Sequence, residues 1–202
     1  MRRRPRRQVW LIGGAILGVV VLASVAVGFW SRSDRHIDGG GALGSEGAPV
    51  HLTQDLNPLG GTITTWTFGI RLCLATGSTP AILEGISPDP TIGDGFRFLG
   101  ASVREFDYDP LAHTFIYSVE GYPPPTATVP DPLHDIDGFP VTTPCTRPPS
   151  GRYTELLVGL GLAGPDGGGW QGVDIAYTVD GRHQVLVLEH DLEICGTATP
   201  CT

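Results

Sequence analysis

Residues 62–75 read TITTWTFGIRLCLA, and their apolar side chains fall on every second position. Trp66, Phe68, Ile70, Leu72 and Leu74 share one face of an extended chain, while Thr67, Arg71 and Cys73 share the other. A period of two cannot form the single apolar stripe of a helix, so this stretch predicts a half-buried β-strand. Similar runs recur at short spacing: 81–86, 96–106, 113–121, 155–163, 172–179 and 183–194. The last two flank Asp180-Gly181, a dipeptide suited to the left-handed backbone of a two-residue hairpin. About seven strands separated by Gly and Pro predict an all-β domain over 62–202, built as an immunoglobulin-like β-sandwich. The Pro-rich stretch 122–151 is expected to cross one end or edge of it as a loop.

The other strong constraint lies upstream. Five arginines (Arg2, Arg3, Arg4, Arg6 and Arg7) precede residues 9–30, a run without one charge. As a helix that run spans about 33 Å, enough for a hydrocarbon core of about 30 Å. Signal-peptide apolar regions are shorter, about 7 to 15 residues. Ser24-Val25-Ala26 offers small residues for cleavage, but cutting there would leave an apolar stub ending at Trp30. With Trp10 and Trp30 at the two interfaces, a retained transmembrane helix over 9–30 is the better reading. The positive-inside rule then keeps residues 1–8 cytoplasmic and places the rest of the chain outside the cell membrane, single-pass. Gly14 and Gly18 have the spacing that lets two membrane helices approach as a homodimer, though glycine is frequent in such helices anyway. Residues 31–61, rich in Gly and polar groups, read as a flexible linker.

Charge narrows the partners. Beyond the five leading arginines, 8 of the 13 basic residues remain to face all 21 acids, a net charge of −13. Nucleic acid is excluded by that balance, because phosphate binding requires basic clusters. Lysine is absent, and Asn57 is the lone asparagine.

Four cysteines outside the cytoplasm imply disulfides. Cys73 has the parity of Thr67 and Arg71, away from the apolar row. Cys195 likewise sits opposite Leu192 and Ile194. The expected pairing is Cys73–Cys145, through the Pro-rich loop, and Cys195–Cys201, across a turn at Gly196 and Pro200. The rival is Cys73–Cys195 with Cys145–Cys201, if the first and last strands are neighbours.

The succession GFPVTTPC, YTELLVGL, DIAYTVDGRH and LEICGTATPC, behind a basic N-terminus and an apolar run, resembles uncharacterised single-pass membrane proteins of high-GC Gram-positive bacteria. That resemblance implies one membrane helix and an extracytoplasmic β-sandwich, and it brings no activity with it.

Catalytic signatures are missing. Ser78 in ATGSTP lacks the flanking glycines of a nucleophile elbow, and there is no phosphate loop, H-E-x-x-H or C-x-x-C. Histidines 36, 51, 113, 134, 183 and 190 are scattered, and His190 has inward parity near a strand end. Two acidic stretches could supply calcium oxygens: Asp131, His134, Asp135 and Asp137 before Gly138, and Glu105, Asp107 and Asp109. Neither has EF-hand spacing, since Leu133 and Pro144 stand where acids are needed. Soft copper ligands are absent, Met1 being the single methionine. No catalytic, metal or cofactor residue is therefore assigned. The expected function is a binding or structural module of the bacterial cell envelope, with an envelope protein or polymer as partner. A calcium-binding surface domain and a cell-surface enzyme are the alternatives.

Overall fold

The computed structural model describes residues 34–37, 40–46, 51–55, 65–88, 91–108, 115, 118–146, 151–164 and 166–195. The apolar run, Gly14, Gly18 and Cys201 lie outside them. Among the described residues fifteen strands occur in chain order. The first six are β1 (Asp34–Ile37), β2 (Leu43–Ser45), β3 (His51–Asp55), β4 (Thr65–Leu74), β5 (Ala81–Pro88) and β6 (Thr91–Ile92). Next come β7 (Phe96–Asp107), β8 (Ser118–Glu120), β9 (His134–Asp135), β10 (Pro140–Val141) and β11 (Arg152–Leu162). The series ends with β12 (Gly168–Trp170), β13 (Val173–Val179), β14 (Arg182–Leu188) and β15 (Asp191–Cys195). Among the described residues there is no helix.

One sheet runs β2-β4-β11-β7-β9, with β8 added beside β4; the others run β1-β14-β13-β5-β10 and β3-β15-β12-β6. The last two share one logic. β15 follows β14, β12 precedes β13 and β6 follows β5, in the same lateral order, so a single set of four ribbons is interrupted at one level. The interruption falls at Gln171-Gly172 and at Glu189-His190. Residues 183–194, expected as one strand, are thereby split into two.

Alternation then does what hydrophobic burial demands. Trp66, Phe68, Ile70 and Leu72 of β4 join Leu156, Val158 and Leu160 of β11 on one side of the six-stranded sheet. They share a core with Leu83, Ile175, Leu186, Leu188 and Ile194 from the other sheets. The Trp170 ring of β12 meets Phe68 at 6.5 Å and Phe96 at 5.6 Å, both on the facing six-stranded sheet. At the hairpin between β13 and β14, Asp180 and Gly181 both adopt positive φ (50° and 72°), as the dipeptide predicts.

Residues 31–61 do not form the expected linker throughout. β1 pairs in parallel with β14, β3 in parallel with β15, and β2 antiparallel with β4. Three short pieces, of four, three and five residues, are too brief to show an alternating period, and they are fixed by backbone pairing rather than by a long apolar face. Leu43 is fully buried in the core. Tyr177 secures this N-terminal segment: its hydroxyl donates to Gln184 Oε1 at 2.5 Å, receives the Leu43 N–H at 3.4 Å and meets His36 Nε2 at 2.5 Å. One hydroxyl thus ties β1, β2 and β14 to β13.

Burial raises the Tyr177 pKa above 10.0, partly offset by backbone hydrogen bonds from Leu43 and Ala42. A phenol held neutral in the fold binds its proton more tightly than in the unfolded chain. Its contribution is therefore complete below the unfolded value and is lost as pH rises through the folded one. Urea midpoints followed from neutral pH to above 10 are expected to fall at the alkaline end. Tyr177→Phe is expected to cost about 1–3 kcal/mol at neutral pH by stranding its partners, and to flatten that alkaline fall.

Candidate functional site

Strand β11 is buried along nearly its whole length, not only on alternate residues. Its apolar side faces the core, and its other side carries Tyr153, Glu155, Leu157 and Gly159. The segment from β8 to Cys145, taken mostly from the Pro-rich stretch, covers that second side as it passes from β8 beside β4 to β9 beside β7, before β10 joins β5. We refer to it as the strap.

Register places Glu155 between Arg104 of β7 and Arg71 of β4. Arg104 answers it: Nε donates to Glu155 Oε2 at 2.8 Å and Nη2 approaches the same oxygen at 2.7 Å. Nη1 turns the other way and donates to Asp131 Oδ2 of the strap at 2.9 Å. Arg104 and Glu155 are each 1% exposed, whereas the Asp131 side chain is 32% exposed. The Arg104 guanidinium also lies 4.4 Å from the Phe106 ring centre. One cation thus neutralises a buried acid in the sheet and holds an acid of the strap.

Further along the same side, Val129 of the strap and Val119 of β8 pack on Leu157. Beyond them Tyr122 lies flat over the sheet. Gly121 N donates to Thr65 O at 2.8 Å, and Thr67 Oγ1 donates to Gly121 O at 2.5 Å. The tyrosine ring fits because Gly159 and Gly100, paired across β11 and β7, have no side chains. A Cβ on Gly159 would run into that ring, and one on Gly100 would sit 3.0 Å from the Tyr122 hydroxyl. Burial pushes the Tyr122 phenol above its usual range.

The strap is closed by Cys73–Cys145, with Cα atoms 4.9 Å apart. Parity correctly put Cys73 on the side away from the core, yet it is fully buried, because the strap covers that side. A link of 72 residues contributes about 4 kcal/mol by loop closure. Cys195 is also disulfide-bonded; Cys201, its expected partner, lies outside the described residues.

The acids considered for calcium are dispersed. Asp131 is committed to Arg104, His134 and Asp135 form β9 against Ser102 and Val103, and Asp137 precedes the turn at Gly138. Glu105 and Asp107 face Arg152 at 3.5 and 3.8 Å, and Asp109 lies outside the described residues. Among the described residues no three His, Cys, Asp or Glu side chains stand close enough to hold a metal ion. Ser78 is in an exposed turn, and His190 is half-buried at the break between β14 and β15.

At the end of the same side stands an aromatic group that the sequence reading missed. Tyr108 stacks on Phe115 at 4.7 Å, Tyr153 stacks on Phe106 at 5.8 Å, and Arg71 lies 4.2 Å from the Phe115 centre. On the five-stranded sheet, Glu84, Thr178 and His183 form a cross-strand cluster. His183 Nδ1 lies 2.9 Å from Glu84 Oε1 and 3.2 Å from Thr178 Oγ1, and Thr178 also donates to Glu84. A catalytic triad sets the hydroxyl and the carboxylate on opposite ring nitrogens. Here both meet Nδ1 and the hydroxyl donates to Glu84 directly, so the three side chains do not have the arrangement of a triad.

No protein-family model matches the chain, and no curated protein matches it either.

The seating of the strap is testable at Gly159. Replacing it with alanine is expected to lower stability by about 1–3 kcal/mol through overpacking against Tyr122. Adding Tyr122→Ala to that variant should recover part of the loss, as read from urea midpoints. Full additivity of the two changes would contradict the contact.

Proposed function

We propose that the chain is a membrane-anchored, extracytoplasmic binding or structural module of the bacterial cell envelope, its immunoglobulin-like sandwich acting by contact rather than by catalysis. The disulfide-closed strap carries the reading. A disulfide persists on the oxidising side of a membrane, and it joins a sheet to a Pro-rich segment that has little regular structure of its own. Pinned by Cys145, Asp131, Val129 and Tyr122, the strap offers a fixed outer surface whose shape does not have to be ordered on binding. Fixing a surface beforehand is how a protein lowers the entropic cost of recognition. Leu133, 38% exposed, projects from it beside the exposed Asp135 and Asp137. The net charge of −13 after the leading arginines favours a basic or neutral partner over nucleic acid.

The uncharged run 9–30 supports the anchor, and only residues 31–33 separate it from β1. Membranes washed with alkaline carbonate are expected to retain the chain, and mass spectrometry should recover its arginine-rich N-terminal peptide there. External protease should reach the domain in intact spheroplasts, and mild cross-linking of the cells should capture an envelope protein or polymer. A chain released to the medium and beginning near Val27 would overturn the anchor. A domain shielded from external protease would overturn the topology.

A further inference from the structure

Hydroxyl residues next to proline recur outside the long strands. They appear as ATGSTP at 75–80, TATVP at 126–130, TTP at 142–144 and TATP at 197–200. Proline with threonine in short runs is the composition of O-glycosylated segments, where the backbone stays out of helix and ladder and the hydroxyls remain open. The structure separates these runs. Thr76 Oγ1 is spent on Gly41 O at 3.3 Å and Thr143 is only 8% exposed, while Ser78, Thr79 and Thr142 are exposed. Residues 197–200 lie outside the described residues.

The strap run is built differently. Residues 125–128 are all exposed, whereas Pro124 on one side and Val129 on the other are buried. Thr128 N and Val129 N both donate to Pro125 O at 2.9 Å, which raises Thr126 and Thr128 on a tight turn held at both ends. Among the described residues no hydrogen bond engages either hydroxyl. Ala127 between them adds no bulk, so both hydroxyls can be approached from solvent.

We propose that Thr126 and Thr128 are acceptor sites for O-linked glycosylation by a hexose. The donor is a sugar activated at its anomeric carbon by a phosphate ester. Threonine Oγ forms a bond to that carbon, the carbon–phosphate oxygen bond breaks, and the phosphate leaves with the electron pair. The hydroxyl proton passes to a carboxylate of the transferase. A sugar here covers the outward side of the strap, where Asp131 and Val129 already occupy the inward side. This rests on the extracytoplasmic reading only in supposing that the strap meets an envelope transferase.

The test uses full-length protein purified from the membranes of its own cells. Cleavage before aspartate releases peptide 109–130, and electron-transfer fragmentation assigns any added mass to a residue. The expected result is one or more hexose increments on Thr126 or Thr128, lost in the Thr126→Val/Thr128→Val variant. Non-reduced mapping should still find Cys73–Cys145 in that variant, which shows that the strap is folded. A peptide carrying only its sequence mass, or an increment that persists in the variant, overturns the proposal. Carbonate extraction and protease access on the same cells read the anchor and topology separately, so an unmodified peptide from a correctly inserted chain counts against the glycosylation alone.

Discussion

An arginine and a glutamate that are almost wholly buried hold the rest of the structure to account. Taking both charges out of water costs several kcal/mol for each, and only close geometry with further hydrogen bonds repays it. Arg104 meets that condition by using three nitrogens: two on Glu155 and one on Asp131. The pair therefore requires a cover. If the strap were lifted, Asp131 would leave with it and the guanidinium would face water beside an acid in a sheet otherwise built for burial. A sheet that carries ions on its outward side, a Pro-rich segment laid over them and a disulfide that closes the segment are one arrangement.

The rest of the strap follows the same rows. Where the ion pair ends, Leu157 supplies an apolar patch for Val129. Where that ends, paired glycines make room for the Tyr122 ring. Each row of β11 offers a different chemistry to the strap, which sets its position along the sheet without any regular pairing except at β8, β9 and β10. The aromatic group at the far end, with Arg71 and Arg104 against ring faces, continues the pattern of cations on aromatic surfaces.

How much of this was legible depends on the length over which a pattern repeats. β4, β11 and β13 show alternation over at least five residues, and the sequence located each of them, while β5 and β7 were found as shorter strand-like runs between turns. β1, β2 and β3 are too short for that, and backbone pairing, which leaves no mark on side-chain order, decides them. Outward parity at Cys73 and Glu155 was readable, but parity says which side a residue takes and nothing of what covers that side. Arg104 shares the even positions of Phe96 and Phe98 and takes the outward side because the register shifts between Gly159 and Leu160. The glycines were the available signal. Gly159 and Gly161 alternate with Leu160 inside a strand, where glycine costs stability unless another group must approach closely. Arg104 and Glu155 gave no comparable sign, because a charged residue on the outward side of a strand ordinarily faces water.

The most direct test is a double-mutant cycle at the buried pair, read as unfolding free energy in urea. Arg104→Met and Glu155→Leu alone are each expected to cost about 3–5 kcal/mol, because each strands the opposite charge in a buried setting. The double variant should recover most of that loss, since it buries no unpaired charge in the sheet and Asp131 is exposed enough to be hydrated. Single variants that cost less than about 1 kcal/mol, as surface pairs do, or costs that simply add in the double variant, would contradict the account.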